Sequence, residues 1–570
     1  MGTKLLIIGG VAGGATAAAR ARRIDEHAEI ILFERGEFIS FANCGLPYFV
    51  GDIIKERDTL LVTTPESFSQ RYRIDVRIFH EVTSIDRERR QVNVKDLRTG
   101  KPSTESYDKI ILSPGAEPVR PNIPGVGENG IFNLRNIPDS ERIKAFVDMV
   151  HPRDAVVVGG GFIGLEMAEN LVERGVQTTI VEMLDQVMPP LDYEMAGLIH
   201  AHVREKGVAL KLKEGVESFT RKGDRIAVIT NNSSTIECDM VVLSVGIRPE
   251  NRLARGAGLD LCEHGHIRIN PAMMTSDPDI FAIGDAVCVK DFIMGTPVNT
   301  ALAGPANKQG RVAADNALGR RSVFRGTLGT SVVKVFDLTV AGTGMNEKTL
   351  KQRHVPYLVS FTHSGSHASY YPGAEIMSIK LLFTPGSGSI LGAQIVGGEG
   401  VDKRIDVLAT SIHARMTVFD LEELELAYAP PYSSAKDPVN IAGFVASNMI
   451  RGDLDTVNWN DFPSLDRAEH MLLDLRNEDE LRTAGTIEGS LHIPLHELRD
   501  HLYTLDRTKT YVPFCAAGLR GYIGHRILIQ NGFRSKNLSG GVQDLSRCTG
   551  KDHGRICIHQ VMAERIATAS

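Results

Sequence analysis

Two glycine-rich strand–loop–helix units, about 150 residues apart, constrain this chain more than any other feature. In the first, Lys4 to Gly9 reads as a buried parallel strand, Ala15 to Arg23 as the helix after it, and Ile30 to Phe33 as the next strand. The same grammar returns at Ala155 to Val158, followed by glycines, a helix to about Arg174, and the strand Thr178 to Val181. A repeated unit of this kind is an internal duplication of function. Further along, Thr330 to about Ile450 alternates short apolar runs with turns before a helical stretch, which suggests an α+β domain. Arg451 to Pro463, acidic and holding the only tryptophan, Trp459, reads as a linker. A new strand, Met471 to Leu475, then opens a compact α/β module that runs to the end.

The chain has 570 residues, enough for three or four domains of ordinary size. Its formal charge of -6 shows no basic bias and argues against a nucleic-acid partner. The N-terminal apolar run, Leu5 to Ile8, is far too short to span a bilayer, so no membrane partner is expected. It leads straight into glycines, unlike a signal peptide. Seven cysteines, at 44, 238, 262, 288, 515, 548 and 557, are scattered and form no paired framework, so a reducing, cytoplasmic setting is expected. Five of them, Cys238, Cys262, Cys288, Cys548 and Cys557, sit in no motif and read as structural. No His/Cys/Asp grouping has metal spacing, and the two histidines of Thr362 to His367 read as part of a polar loop.

The glycine loops carry the first chemistry. Gly9, Gly10, Gly13 and Gly14 let the backbone approach a pyrophosphate at a helix N-terminus, where unpaired N–H groups favour an anion. Val11 replaces the second glycine of a full GxGxxG pattern. Glu34 closes the following strand, at a spacing suited to a ribose diol. The second loop is complete, with Gly159, Gly161, Gly164 and the acid Glu182. An acid there binds the 2′-hydroxyl of NADH and repels the extra phosphate of NADPH, so NADH is the expected cofactor and NADPH the alternative.

Two solitary cysteines carry the second chemistry. Cys44 sits in Ser40-Phe41-Ala42-Asn43-Cys44-Gly45-Leu46-Pro47-Tyr48, and Cys515 in Cys515-Ala516-Ala517-Gly518-Leu519-Arg520. Neither has a partner at CxxC or CxxxxC spacing, so each must work through a persulfide, a sulfenic acid or a mixed disulfide with a small thiol. In the second stretch, successive backbone N–H groups and Arg520 make an anion cradle suited to a thiolate and its persulfide.

These motifs identify a resemblance. Residues 1–450 resemble the pyridine nucleotide–disulfide oxidoreductases, and the Ser-Phe-x-x-Cys-Gly-x-Pro-Tyr signature at 40–48 looks like that of their single-cysteine branch, which holds CoA-disulfide reductases, NADH oxidases and NADH peroxidases. Residues 465–565 resemble a rhodanese, or sulfurtransferase, domain through Leu473-Asp474-Leu475-Arg476, Gly485 to Ser490 and the loop 515–520, with Thr486 where rhodaneses usually carry His. That departure reads as structural, because position 486 lies outside the sulfur-binding loop.

The resemblance implies an α/β chain of two Rossmann-like FAD and NAD domains, an α+β dimerisation domain and a C-terminal α/β rhodanese domain. The implied boundaries are 1–150 and 245–325 for the FAD domain, 151–244 for the inserted NAD domain, 326–450 for dimerisation, 451–464 for the linker and 465–570 for the rhodanese. Cofactor contacts are expected at Ser113, Gly115, Arg35, Gly246, Gly284, Asp285 and Ala301, with Asp285 on the ribityl chain of FAD. Phe162 is expected to gate the nicotinamide side and Glu166 to contact the nicotinamide amide. Two tyrosines beside the thiol are expected to come from the other protomer of a homodimer. They map to Tyr370 and Tyr428, with Tyr371 and Tyr432 as the alternatives. Coenzyme A, as substrate or tightly held, is expected at Ser40 and Asn43, with phosphate partners among Arg20, Arg22, Arg23, Arg71 and Arg73.

The resemblance implies a flavin-dependent NADH:persulfide or polysulfide reductase that acts through Cys44 and releases hydrogen sulfide. Cys515 would supply sulfane sulfur, and tethering would raise the local concentration of its product. The competing readings are a CoA-disulfide reductase for thiol homeostasis, with NADH oxidase side activity, and a slowly turning redox sensor or sulfur carrier. Ala12 stands where oxidases and peroxidases usually carry a supporting His, which weighs against oxygen or peroxide as the principal substrate.

Overall fold

A computed structural model describes residues 2–542; Cys548 and Cys557 lie outside the described residues. The described residues divide into two compact units, one of 2–187 with 207–329, the other of 188–206 with 330–542.

The first unit is built twice over on one plan. A five-stranded parallel sheet orders Ile280–Ala282, Lys109–Leu112, Lys4–Ile8, Glu29–Glu34 and Asp75–Ile78. The second orders Ala209–Leu212, Gln177–Glu182, Asp154–Val158, Met240–Leu243 and Ile131–Asn133, again all parallel. Each carries a three-stranded antiparallel meander, His80–Ser106 on the first and Val216–Cys238 on the second. In both sheets the glycine-rich loop follows the central strand, at the point where neighbouring strands lead off in opposite directions. That is where open parallel sheets form a crevice for ligands. Leu5, Ile7, Val156 and Val157 are fully buried, as strands covered on both faces require.

The first helix, Ala12–Ile24, begins three residues before the expected start because Gly13 and Gly14 already take helical geometry against the sheet. Glycine is obligatory at four matched places. A Cβ on Gly14 would stand 1.8 Å from the Gly9 carbonyl oxygen, and one on Gly164 would stand 1.9 Å from that of Gly159. Gly9 and Gly159 have φ of +99° and +105°.

In the second unit, a five-stranded antiparallel sheet orders Ser331–Val335, Leu338–Gly344, Ile390–Gly397, Ile376–Phe383 and Leu358–Gly365. The stretch read as a polar loop is the last of these strands. Its His363 pairs with Ser378 Oγ at 2.9 Å, and His367 just beyond is buried against the ring of Tyr371. The C-terminal module holds a four-stranded parallel sheet ordered Leu491–His492, His470–Asp474, Thr510–Phe514 and Arg534–Ser535.

Two sequence expectations need correction. The presumed linker is integral to the C-terminal module: Thr456–Val457 pairs with Asn537–Leu538, and Val457, Trp459 and Phe462 enter one core with Leu472, Val512 and Phe514. The Trp459 indole stacks on Tyr193 with centroids 5.7 Å apart. Acidic composition hid three apolar anchors. The cysteines also form a pair, since Cys262 and Cys288 are joined by a disulfide with Cα atoms 6.7 Å apart. Neighbouring strands at Ile267–Arg268 and Val287–Lys290 bring together residues 26 positions apart. The cysteine pattern therefore does not by itself argue for a reducing compartment. Cys238 is free and buried, which raises its thiol pKa to about 12 and fits a structural role.

A lysine is enclosed in the second unit. Lys380 is fully buried and meets Asp192 at 2.8 Å, Glu347 at 2.5 Å, and Glu194. Gln394 and Tyr357 complete the network, donating to Asp192 and Glu347 at 2.7 Å each. Asp192, Glu194 and Glu347 bring their oxygens together as metal ligands would, but the Lys380 ammonium is the cation among them. Burial opposes that charge, yet the three carboxylates outweigh it and raise its pKa.

Candidate functional site

The nucleotide crevices are preorganised alike. Glu34 accepts from the Gly10 and Gly36 N–H groups at 2.9 and 2.8 Å; Glu182 accepts from Gly160 and Leu184 at 2.7 and 2.8 Å. Each acid therefore braces the loop whose ligand it would share, and a carboxylate has lone pairs left for a ribose hydroxyl. Both following helices, Ala12–Ile24 and Phe162–Glu173, start with no capping side chain and no acid in the first turn. A Cβ at Gly161 would meet nothing within 4 Å, so a phosphate has room to approach. These features fit dinucleotides.

The remaining cofactor-site candidates all lie in the first unit. Ser113 Oγ lies by Gly13, Gly115 and Gly246 take positive φ of +72° and +103°, and Gly284 donates to Gln309 Oε1 at 2.7 Å. Asp285 follows Gly284, its pKa raised by burial against the pull of Arg135. Arg35 pairs with Glu117 at 3.2 Å and reaches Glu250 at 3.6 Å. Ala301 is exposed just before the helix Ala303–Ala317, another helix without a capping side chain. Sequence reasoning missed Gln309 and Arg135, because neither falls in a glycine or cysteine motif.

Cys44 is placed by short-range geometry on both sides. Ser40, at φ +46°, donates from its N–H to the Gly10 carbonyl at 2.9 Å, which ties the cysteine segment to the first glycine loop. The Ala42 N–H reaches Leu60 at 2.8 Å. Cys44 then lies in the short turn Asn43–Gly45, before the helix Leu46–Val50. Gly51 presses that helix onto the one bearing Phe162 and Glu166, since a Cβ there would stand 1.9 Å from Asn170. Both Asn43 and Cys44 are exposed.

Although Cys44 is reachable, surrounding protein desolvates its thiol and raises its pKa, with Glu166 and Asp285 adding like charge. Glu166 is itself pushed up to about 7 by burial, with Glu169 adding and a hydrogen bond from Tyr48 opposing. Tyr48 rises to about 12 through burial, with the charges of Glu166 and Glu169 and its hydrogen bond to Glu166 adding. Tyr48, four residues after the thiol, closes the signature at 40–48, and its contact with Glu166 is visible only in the fold. Glu166→Gln removes a charge that disfavours the Cys44 thiolate, so thiolate should form at lower pH. Alkylation of Cys44 by iodoacetamide at about pH 8 is expected to speed up roughly threefold or more. An unchanged pH profile would place Glu166 outside the thiol's field.

Of the candidate tyrosines, Tyr370 and Tyr428 share a hydroxyl–hydroxyl hydrogen bond of 2.7 Å on an exposed face. Tyr371 instead packs on His367, and Tyr432 is exposed. The arginines divide. Arg20 is paired with Asp315 at 2.8 Å, while Arg23, Arg71 and Arg73 are exposed. Arg22 leaves the proposed phosphate cluster, because it is buried and donates to the carbonyls of Tyr72, Arg73, Asp25 and Glu26.

In the C-terminal module, Cys515 is buried at the end of Thr510–Phe514, and its sulfur receives the Gly518 N–H at 3.1 Å. Gly518, at φ +108°, opens the helix Leu519–Gln530. Arg520 forms a two-pronged pair with Glu480, at 2.6 Å to each oxygen. Thr486 donates to Asp474 at 2.6 Å within the buried Asp474–Arg476 pair, a structural place.

Residues 3–310 match the pyridine nucleotide-disulphide oxidoreductase family, 330–438 its dimerisation domain, and 463–548 the rhodanese-like domain. The coenzyme A disulfide reductase of Staphylococcus haemolyticus is 36% identical over 448 residues, 78% of this chain and 100% of the relative. Among solved structures, the reduced CoADR-RHD of Bacillus anthracis covers 96% of this chain and 99% of its own at 49% identity and a TM-score of 0.94. The NAD-dependent persulfide reductase of A. fulgidus covers 95% and 99% at 38% identity and a TM-score of 0.89. With both nucleotide crevices, the single cysteine and the C-terminal module in place, this chain belongs to the pyridine nucleotide-disulphide oxidoreductase family, whose members use FAD and NAD(P)H, and it carries a rhodanese domain as well.

Proposed function

We propose that the chain is an NADH-dependent reductase of persulfides, with CoA persulfide as substrate and hydrogen sulfide as product, working as a homodimer. The observation that carries this reading is the presence in one chain of two solitary, differently housed thiols: exposed Cys44 beside the nucleotide crevices and buried Cys515 with the Gly518 N–H on its sulfur. A reductase confined to disulfides has no use for the second.

The Cys44 thiolate attacks the outer sulfur of CoA–S–SH. A bond forms between Sγ and that sulfur, the old S–S bond breaks, and CoA leaves as its thiol, taking the persulfide proton. Two electrons and a proton then free the outer sulfur as hydrosulfide and restore the Cys44 thiolate. FAD held at the first crevice would relay that electron pair from NADH at the second. The Glu34 and Glu182 carboxylates orient the two nucleotides, and Glu182 disfavours a 2′-phosphate. The bonded hydroxyls of Tyr370 and Tyr428, from a partner protomer, form a pair that would relay that persulfide proton to the leaving thiol. Ser40, Asn43 and the exposed Arg23, Arg71 and Arg73 are the CoA contacts of this reading. The name carried by the A. fulgidus structure supports it.

A second reading, reduction of CoA disulfide, is favoured by the Staphylococcus relatives, which match 78% of this chain at full or nearly full length. The test is NADH consumed and sulfide released with each substrate. One sulfide per NADH, with CoA persulfide turned over faster than CoA disulfide, is expected. Faster turnover of the disulfide with no sulfide from the persulfide would overturn the reading.

A further inference from the structure

The Arg520 guanidinium is the only cation the cysteine loop itself supplies, yet the structure has already committed it. Both of its terminal nitrogens are held by Glu480 at 2.6 Å, with near-parallel bonding of the sort that fixes a guanidinium in one plane. Glu480 is itself fixed, because its Oε2 also accepts the Asn477 N–H at 3.0 Å at the start of the helix Glu478–Ala484. The other charged groups of that stretch form their own pairs. Arg482 faces Glu478 and Asp479, and Arg476 is buried against Asp474. Arg520 draws the Glu480 carboxyl down to about 2, so the pair stays ionised throughout the neutral range. The cation of the Cys515 loop is therefore paired with a carboxylate rather than free.

Sulfane sulfur reaches a cysteine from two kinds of donor. Thiosulfate presents it on a dianion: the Cys515 thiolate attacks the outer sulfur, the new Cys–S–S⁻ forms, and sulfite leaves as a dianion. A hydropersulfide, R–S–SH, presents it at the end of an uncharged arm, and R–SH leaves with the proton. Only the first donor needs an unpaired cation beside the reacting sulfur to hold its sulfonate and stabilise the departing charge. The second needs N–H donors for the persulfide, which the loop supplies through Gly518.

We propose that Glu480 is a specificity-determining residue of the Cys515 site, which occupies Arg520 and so turns the loop away from oxyanion donors such as thiosulfate and towards hydropersulfides on uncharged thiol arms. This inference rests on Cys515 being a sulfurtransferase nucleophile, the reading given above. Glu480 acts through Arg520 and is a positioning residue.

The test uses the full-length flavoprotein, with Cys515→Ser as the zero. Cys515-dependent sulfur transfer is measured with thiosulfate and with N-acetylcysteamine persulfide, whose arm carries no charge, in wild type, Glu480→Gln and Glu480→Ala. The ratio of kcat/KM for thiosulfate over that for persulfide is expected to rise about tenfold or more in both variants, chiefly through a lower KM for thiosulfate. A purely structural role would instead lower both activities together and leave the ratio unmoved, which overturns the inference. The two variants differ at the helix start, so agreement between them excludes a local unfolding effect. If wild type transfers sulfur from neither donor, the sulfurtransferase reading of Cys515 itself fails. That outcome is distinct from an active enzyme whose donor ratio ignores Glu480.

Discussion

Cys44→Ser is expected to lower NADH-driven turnover of CoA persulfide by about a thousandfold or more, while NADH still reduces the bound flavin. Loss of a nucleophile that forms the covalent intermediate costs more than any positioning residue, because the hydroxyl left in its place is a far weaker nucleophile at neutral pH. The structure sharpens the expectation. Cys44 is exposed, is fixed by the backbone bonds of Ser40 and Ala42, and has no second cysteine in its segment to take over. Stopped-flow flavin reduction and steady-state turnover measure the two halves separately. Residual turnover within tenfold of wild type would move the chemistry to another residue.

The second large effect concerns stability. Lys380→Ala leaves Asp192, Glu194 and Glu347 buried together without their cation, and is expected to destabilise the second unit by about 3–5 kcal/mol. Glu194 is already pushed up by burial, with Lys380 opposing, so the variant should gain stability as pH falls and the freed carboxylates take up protons. The sign is that of groups whose folded pKa is raised: their stabilising contribution is present at low pH and is lost as pH rises through the folded value. Denaturant unfolding at two pH values measures it. A triple variant, Lys380→Met with Glu194→Gln and Glu347→Gln, should recover much of the loss. A loss below about 1 kcal/mol would show the carboxylates relaxing to solvent.

Much of the first unit is legible in the sequence because its signals are local. Apolar strands, glycines with steric reasons to be glycine, and an acid at the end of the next strand recur at fixed spacing in both halves. Glu34 and Glu182 lie at equivalent places for that reason. The cysteine segment is equally local. What escaped the sequence is long-range. Lys380 draws its partners from positions 192, 194 and 347, and no pattern joins them. The Cys262–Cys288 disulfide depends on two strands that pair only in the fold. Glu480 advertises itself as a helix-start acid, Asn477-x-x-Glu480, but its decisive contact is Arg520, 40 residues on. The tyrosines show the same limit at short range. Tyr370 and Tyr371 are adjacent, and only the fold separates them, one bonded to the Tyr428 hydroxyl and the other packed on His367.

Division of labour between Cys44 and Cys515 is most directly tested by NADH consumption in Cys515→Ser under two conditions, with preformed CoA persulfide and with a sulfane-sulfur donor plus CoA. Turnover is expected to be retained in the first and lost in the second. Equal loss in both, or equal activity in both, would contradict it.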